Sequence, residues 1–525
     1  MQTAKIERLF ADFIINELGP SEEKEKIRNT KYDLVKHIIE NALILNYPDY
    51  IPHIFVYGSF YLKTYLKDSD IDITIILEKK ENHEIIKDAS SFLINNILQI
   101  IKKSFEDYNN KMKLNIFSDI NIILSDVNLL KCQIETIPLD ISLNNFYGLL
   151  KLFYIDYIFK KVEKYYQKST ILKRSILLIK AWCYYEGNLI GSNIGLMASC
   201  ALELLTINIF NTHYKNINNE IDAFFCFFNF INTIDFNNSI MTLFGPITKT
   251  NFFNDNENIN KNEPLWYMDK NGNEEYLFNL EEFIQFMKNL YKSKTIFYPN
   301  EQKKNLFQDK FFNIMDPINE NNNLGKSINY HSFSRMKGVF QYMKKEINKI
   351  NTIKQLGDPF LYINYLLKLF NTSLSMNFIE LFINYLNMPK IYIFSQNKEH
   401  CEYNLLKVDK NEILKFNKLF NYEQNEKDEE EKKEKNEEEE EEGEEEGEED
   451  DDNEEKIDIE KIKNIKNINI KYQKFDIIIN NKIINRLFDI NHNYGEQTIF
   501  YDKLNKVTDQ YFLELNEFMK NYKFI

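Results

Sequence analysis

Cysteine is scarce in this chain of 525 residues. There are five, Cys132, Cys183, Cys200, Cys226 and Cys401, an odd number with no CxxC pair. That pattern excludes a zinc ribbon or finger and a disulfide framework, and it suits a reducing compartment. Long apolar runs are missing too: none reaches the roughly 18 residues of a membrane span. The first residues lack the basic-then-apolar order of a secretion signal. A soluble intracellular protein, cytoplasmic or nuclear and with no membrane partner, is expected. No internal repeat and no RRM, KH or zinc-finger pattern is present. No glycine-lysine-Ser/Thr follows Gly58, which excludes a P-loop. Asp68, Asp70 and Asp72 stand at the first, third and fifth positions of a calcium loop. The sixth, however, is Ile73 where glycine is needed and the twelfth Lys79 where glutamate is needed.

What is present includes an acidic block. The net charge of −15 comes from residues 423–455, which hold 23 acidic and 4 basic residues. Without them, 61 basic and 57 acidic residues remain, so the rest of the chain is slightly basic and compatible with a polyanionic partner. A like-charge block of this density cannot bury a core and is expected to be a disordered linker, over residues 423–456. The length calls for two or more domains. Residues 22–46 carry Val35, Ile38, Ile39, Ala42 and Leu43 at helical spacing, in a helical lead-in over 1–46. Sheet-forming runs occupy about 51–143, interrupted by a helical pattern at 89–108. Residues 146 to about 349 read mostly as helices, at 154–166, 170–185, 196–209 and 222–231. A helical extension without assigned role is expected over 351–422, with strong helical periodicity at 361–386. A C-terminal segment over 457–525 contains a helix at 509–522. Abundant Asn, Lys, Ile and Tyr reflect a compositional bias, so Asn-rich loops such as 254–262 carry no functional reading by themselves.

The chemistry concentrates in one stretch. Residues 53–57 (HIFVY) read as a strand, Gly58-Ser59 breaks it, and residues 71–77 (IDITIIL) resume as a second strand. Alternation places Asp70 and Asp72 on one strand face and Ile71 and Ile73 on the other. Two carboxylates on one face, near a Gly-Ser turn, make a place to hold Mg²⁺ against a nucleoside triphosphate. Glycine lets backbone approach the phosphates, and the serine hydroxyl can donate to them.

This arrangement resembles the DNA polymerase β-like nucleotidyltransferase superfamily, with its Gly-Ser pair followed by Asp-x-Asp. The third carboxylate that the superfamily requires is matched by Asp140 in residues 137–142 (IPLDIS). Three further stretches narrow the resemblance: 173–186 (KRSILLIKAWCYYE), 195–205 (GLMASCALELL) and 316–326 (DPINENNNLGK). Their order is similar to that of template-independent RNA nucleotidyltransferases, the branch of non-conventional poly(A) and poly(U) polymerases, and closest to its plant-type members. The likeness spans about residues 22–349. It implies an α+β fold: a small nucleotidyltransferase sheet domain over 47–145, a mostly helical nucleotide-recognition (PAP-associated) domain over 146–350, and a cleft between them.

The resemblance also implies roles. Asp70, Asp72 and Asp140 would be catalytic and would hold two Mg²⁺ ions, with Mn²⁺ as a substitute. Gly58, Ser59, Asn145, Lys180, Ser199, Asn322 and Asn323 would bind the nucleotide. Lys180 and Ser59 match contacts to the triphosphate, and Asn145, more than Asn144, matches one to the ribose. Trp182 is read as core. Cys200 departs from the pattern, standing where the family usually has a tyrosine that stacks on the base; Tyr184 or Phe333 could supply that ring instead. Adenylyl-adding members commonly have asparagine at the position of Asn322 and uridylyl-adding members histidine; an amide can pair bidentately with adenine. Asn319 adds little. The expected activity is therefore addition of AMP from ATP to RNA 3′ ends, with an RNA-binding adaptor protein as a further class of partner. A terminal uridylyltransferase and a catalytically weak RNA- or nucleotide-binding relative are the alternatives.

Overall fold

The computed structural model describes residues 2–370 apart from 88, 125–127, 168–169, 256–275, 298–306 and 357–358, together with 391–397 and 402–408. Two helices lead in, α1 (Gln2–Leu18) and α2 (Glu22–Asn46). Ser21 caps α2 by accepting from the Lys24 amide, and Glu22, Glu23 and Glu25 load its first turn with the charge that a helix N-terminus favours. Its buried stripe is Val35, Ile38, Ile39, Ala42 and Leu43, the residues spaced for it in the sequence.

The sheet follows. β1 (Tyr50–Tyr57) runs through Gly58 into a single turn, α3 (Gly58–Leu62), then a loop, then β2 (Ile71–Lys79). The helix α4 (Ser91–Met112) leads to β3 (Phe117–Ile123), β4 (Leu129–Ile134) and β5 (Ile137–Leu143). The strand order is β1-β2-β5-β4-β3, with β2 and β5 parallel and the other neighbours antiparallel. A parallel pair needs a long crossover, and α4 with β3 and β4 provides it. β2 lies inside the sheet, which explains why Ile71, Ile73, Ile75, Ile76 and Leu77 are all buried although they do not alternate strictly.

The helical part contains α5 (Phe146–Tyr165), α6 (Ile171–Ala181), α7 (Ser199–Thr212) and α8 (Glu220–Ile231). Residues Trp182–Glu186 continue α6 as a π-helical turn. Trp182 is 4% exposed, and its ring packs edge-on against Phe224 and Phe228. The N-terminal α1 packs on α6 and α8, where Arg174 bonds to both Asp12 and Glu220.

Helix periodicity did not reveal everything here. A short hairpin, β6 (Ser239–Thr242) and β7 (Gly245–Thr248), interrupts the helices. Its β-branched residues flank Gly245, whose φ of 107° suits a turn that other residues adopt at a cost. Beyond it lie α9 (Lys249–Asp255), α10 (Leu280–Phe297) and α11 (Tyr330–Leu356).

The described residues up to Pro359 form one compact unit, and those from Phe360 onward belong to a second. Within 351–422, expected to be helical throughout, α12 (Pro359–Leu369) is a helix, but β8 (Ile391–Asn397) and β9 (Glu402–Val408) pair as an antiparallel hairpin. The correction has a sequence cause: IYIF is a short β-branched and aromatic run and YNLL a short apolar one, both too brief for a helical stripe. The rest of the periodic run at 361–386 beyond α12, the acidic linker 423–456 and the helix expected at 509–522 lie outside the described residues. Among the described residues no helix is long and apolar enough to cross a membrane.

Candidate active site

Tyr57, the last residue of β1, is the ladder partner of Asp72. The parallel register of β2 and β5 then sets Asp72 beside Asp140. Asp70 sits one residue before β2 begins. One carboxylate oxygen from each of Asp70, Asp72 and Asp140 lies within 4.8 Å of the other two, the only such cluster of acidic, histidine or cysteine ligands among the described residues. Gly58 borders it with φ of 71°, and a Cβ added there would run into Oδ2 of Asp72. Glycine is thus required twice, by the left-handed backbone and by the close approach of the carboxylate.

The cluster is electrostatically unfavourable by itself. Burial, then the charges of Asp70 and Asp140, push the Asp72 carboxyl well above the usual carboxylate range, against the opposing pull of Lys180 and Lys131. Burial raises Asp140 as well, opposed by a hydrogen bond from Lys131. Lys131 Nζ stands 2.7 Å from Asp140 Oδ2. Sequence reasoning did not single out Lys131. Counting back from the two-residue turn between Ile134 and Ile137 would have found it, because Lys131 is the ladder partner of Asp140 on β4. Three carboxylates held together against repulsion suit a hard divalent cation with oxygen ligands.

The other expected nucleotide ligands divide into groups. Ser59, half-buried, starts the turn beside Gly58. Asn145 caps α5, its Oδ1 accepting from the Gly148 amide while Nδ2 donates to the Tyr57 hydroxyl at 3.0 Å. One amide hydrogen of Asn145 is left over. Asn144 turns away, donating to the carbonyl of Ile86. Lys180 is 4% exposed; its ammonium donates to the Thr64 carbonyl at 3.1 Å and lies 3.6 Å from Glu203. It neutralises buried Glu203 and acts on Asp72 through its field. Ser199 opens α7 and Cys200 follows it, both half-buried.

The asparagine loop forms a separate cluster. Asn322 Nδ2 donates to Asp316 Oδ2 at 2.9 Å, and its Oδ1 accepts from Lys326 Nζ at 3.1 Å. One N–H and one lone pair of this amide remain for a ligand. Asp316 is 3% exposed, and burial lifts its carboxyl to about 6 despite hydrogen bonds from Ile318 and Asn322. Asn323, expected to bind nucleotide, has its amide engaged by the protein itself. It is 1% exposed; Nδ2 donates to Gln308 and Asn313, and Oδ1 accepts from the amides of Ile314 and Gly325. All its hydrogen-bonding capacity is used, by Gly325 within the loop and by Gln308, Asn313 and Ile314 before it. Downstream, Ser327 donates to the Leu196 carbonyl and the Asn329 amide to that of Gly195, which ties the loop to the segment entering α7.

Two family models match the chain. Residues 10–155 match the central palm domain of mitochondrial-like poly(A) RNA polymerase, and residues 166–358 match the PAP/OAS1 substrate-binding domain. A palm with converging aspartates followed by that helical domain defines a DNA polymerase β-like nucleotidyltransferase. Within that superfamily the chain belongs to the non-conventional poly(A)/poly(U) polymerase family, whose members are RNA nucleotidyltransferases. Among solved structures, a cytoplasmic RNA terminal U-transferase is similar at 13% identity over 65% of this chain and 94% of its own, with a TM-score of 0.42. The Cid1 poly(U) polymerase is similar at 13% identity, 65% and 93% coverage and a TM-score of 0.41. Cid1 in complex with the UTP analogue UMPNPP gives 13%, 65%, 92% and 0.43. No curated protein matches the sequence significantly.

Proposed function

We propose that this protein is a template-independent RNA nucleotidyltransferase that transfers AMP from ATP to RNA 3′ ends, with Asp70, Asp72 and Asp140 as catalytic ligands of Mg²⁺. The observation that carries the reading is the convergence of these three carboxylates beside Gly58 at the parallel β2–β5 register. A divalent metal bound there supplies positive charge that stabilises the oxygens on either side of the α-phosphorus. In the reaction the RNA 3′-oxygen bonds to that phosphorus, pyrophosphate leaves, and Asp140 takes the hydroxyl proton. Gly58 admits the phosphates, Ser59 donates to them, and Lys180 contributes its field. Ser199 and the spare hydrogen of Asn145 serve the nucleotide.

Selection of adenine is assigned to Asn322, oriented by Asp316 on one side and Lys326 on the other, whose remaining donor and acceptor suit adenine. The catalytic domain is placed at 47–145 and the nucleotide-recognition domain at 146–350. Work in a reducing compartment, cytoplasm or nucleus, is supported by the free cysteines Cys132, Cys183, Cys200 and Cys226. The test is extension of an oligo(A) primer by the purified full chain with each of four NTPs and Mg²⁺ or Mn²⁺. Extension favouring ATP is the expected result. Preference for UTP would replace the adenylyl assignment with a uridylyl one, and no extension with any nucleotide would overturn the catalytic reading.

A further inference from the structure

Asp72 and Asp140 are held by strand ladders, whereas Asp70 lies in the loop before β2, so something else must fix it. The loop is gripped from three directions. Arg28 on α2, 3% exposed, donates from Nη2 to the carbonyls of Lys67 at 3.0 Å and Ser69 at 2.8 Å. The Lys67 amide donates to Leu18 at the end of α1. The Tyr185 hydroxyl, from the π-helical turn, donates to Asp68 Oδ2 at 2.8 Å. Arg28 is itself braced. Its guanidinium lies 4.5 Å from the centroid of the Tyr65 ring, Tyr65 bonds to Glu25, and Glu25 pairs with Lys63. Its Nη1 is buried without a partner, a costly arrangement for a charged donor. A residue kept for packing alone would need no such charge.

We propose that Arg28 is a positioning residue for Asp70: by clamping the carbonyls of Lys67 and Ser69 it sets the third carboxylate of the metal site. The N-terminal helix α2 thereby belongs to the catalytic apparatus although it carries no ligand. This inference rests on Asp70 being a metal ligand, as proposed above. Both bonds leave one nitrogen of a planar guanidinium that the Tyr65 ring holds in place, an orientation that a freely rotating lysine ammonium keeps less well.

The experiment uses the full chain with Arg28→Met, Arg28→Lys and, as a control, Lys354→Met. The control breaks the Lys354–Glu7 pair between α11 and α1 without touching the loop. Mn²⁺ binding is followed by water-proton relaxation, primer extension is followed against Mg²⁺ concentration, and melting temperatures are recorded for all. Arg28→Met should raise the half-saturating metal concentration about tenfold, the loss expected for a charged hydrogen-bonded group. At saturating metal kcat should fall with the NTP KM little changed, and Arg28→Lys should recover part of the loss. Lys354→Met should lower the melting temperature and leave the metal curve in place. A wild-type metal curve in folded Arg28→Met, or in Arg28→Lys should the methionine variant not fold, overturns the proposal. So does an equal shift in Lys354→Met. Wild-type protein that binds Mn²⁺ but extends no primer sinks the polymerase reading alone, and the clamp is then decided by the Mn²⁺ curves. Wild-type protein that binds no Mn²⁺ overturns both.

Discussion

At the meeting of β2 and β5, Asp70, Asp72 and Asp140 are crowded against one another, and burial, then like charge, raises the proton affinity of Asp72 and Asp140. In the loop at 316–326 the single buried carboxyl, Asp316, has no carboxylate crowded against it among the described residues, and the amides are bonded: Asn323 has every donor and acceptor engaged, and the neighbouring Asn322 has half of its amide engaged. Both regions gather polar side chains that the sequence marks equally strongly. The difference separates a site from a scaffold. A repulsive cluster has free energy to gain from a cation, whereas a satisfied amide network stabilises a loop whether or not anything binds. Asn322 stands between the two, fixed by its neighbours yet still with capacity to spare.

The sharpest way to break this contrast is Asp72→Asn. Losing a metal ligand worth several kcal/mol in the transition state should lower nucleotide addition about a thousandfold or more, read by primer extension. The same change should raise the melting temperature of metal-free protein at neutral pH. The sign follows from the raised carboxyl: above its folded pKa the ionised Asp72 is penalised by burial and by two like charges. The penalty disappears as pH falls to the ordinary carboxylate range, where folded and unfolded chains are both protonated. A variant that loses activity and stability together would contradict the picture of a strained site.

Gly58→Ala tests the same region through backbone and space. The added Cβ must displace the Asp72 carboxylate, and a shift of about 1 Å can cost about a hundredfold in rate. Circular dichroism should report an intact fold.

On the loop side, Asn323→Ala should cost stability without altering nucleotide choice. It strands the amides of Ile314 and Gly325 and the acceptors on Gln308 and Asn313, an expected loss of about 3 kcal/mol in denaturant unfolding. Asn322→His should do the reverse. It should move the ratio of ATP to UTP incorporation about tenfold toward UTP, with a small change in stability, because bidentate base contacts discriminate by about 1–3 kcal/mol. The smallest effect is expected from Cys200→Tyr. A base-stacking ring where the thiol stands should lower the KM for ATP a few-fold, since stacking contributes about 1–3 kcal/mol at best. An unchanged KM would show that the base already stacks on another ring.

Much of the sheet was legible because burial writes itself into a strand. The apolar run of 71–77, broken only by Asp72 and Thr74, marked β2, and the Gly-Ser break marked the end of β1. The amphipathic stripe of α2 was legible for the same reason. The hairpins β6–β7 and β8–β9 were not, because four to seven residues give too few repeats to separate a strand from a fragment of helix. Lys180 carries a triphosphate role only through the family resemblance, since an isolated lysine in an apolar helix reads as a solvated one. Its ammonium meets the carbonyl of Thr64 and the carboxylate of Glu203, partners 116 residues before it and 23 residues after it that no local pattern pairs with it.

By itself the sequence marked the candidates for the chemistry: the aspartates, the glycine between two strands and the asparagine loop stand out by residue type and spacing. Tertiary structure decided which of them converge. Asp140 reaches Asp72 only through the parallel β2–β5 register, and Asp70 joins them from a loop held by Arg28, Leu18 and Tyr185, all distant along the chain. The donors of Asn323 are taken up by Gln308 and Asn313, ten and more residues before it. Spacing fixes what is near along the chain, but hydrogen-bond saturation and charge repulsion act between residues far apart in it, so they arise only when the chain is folded.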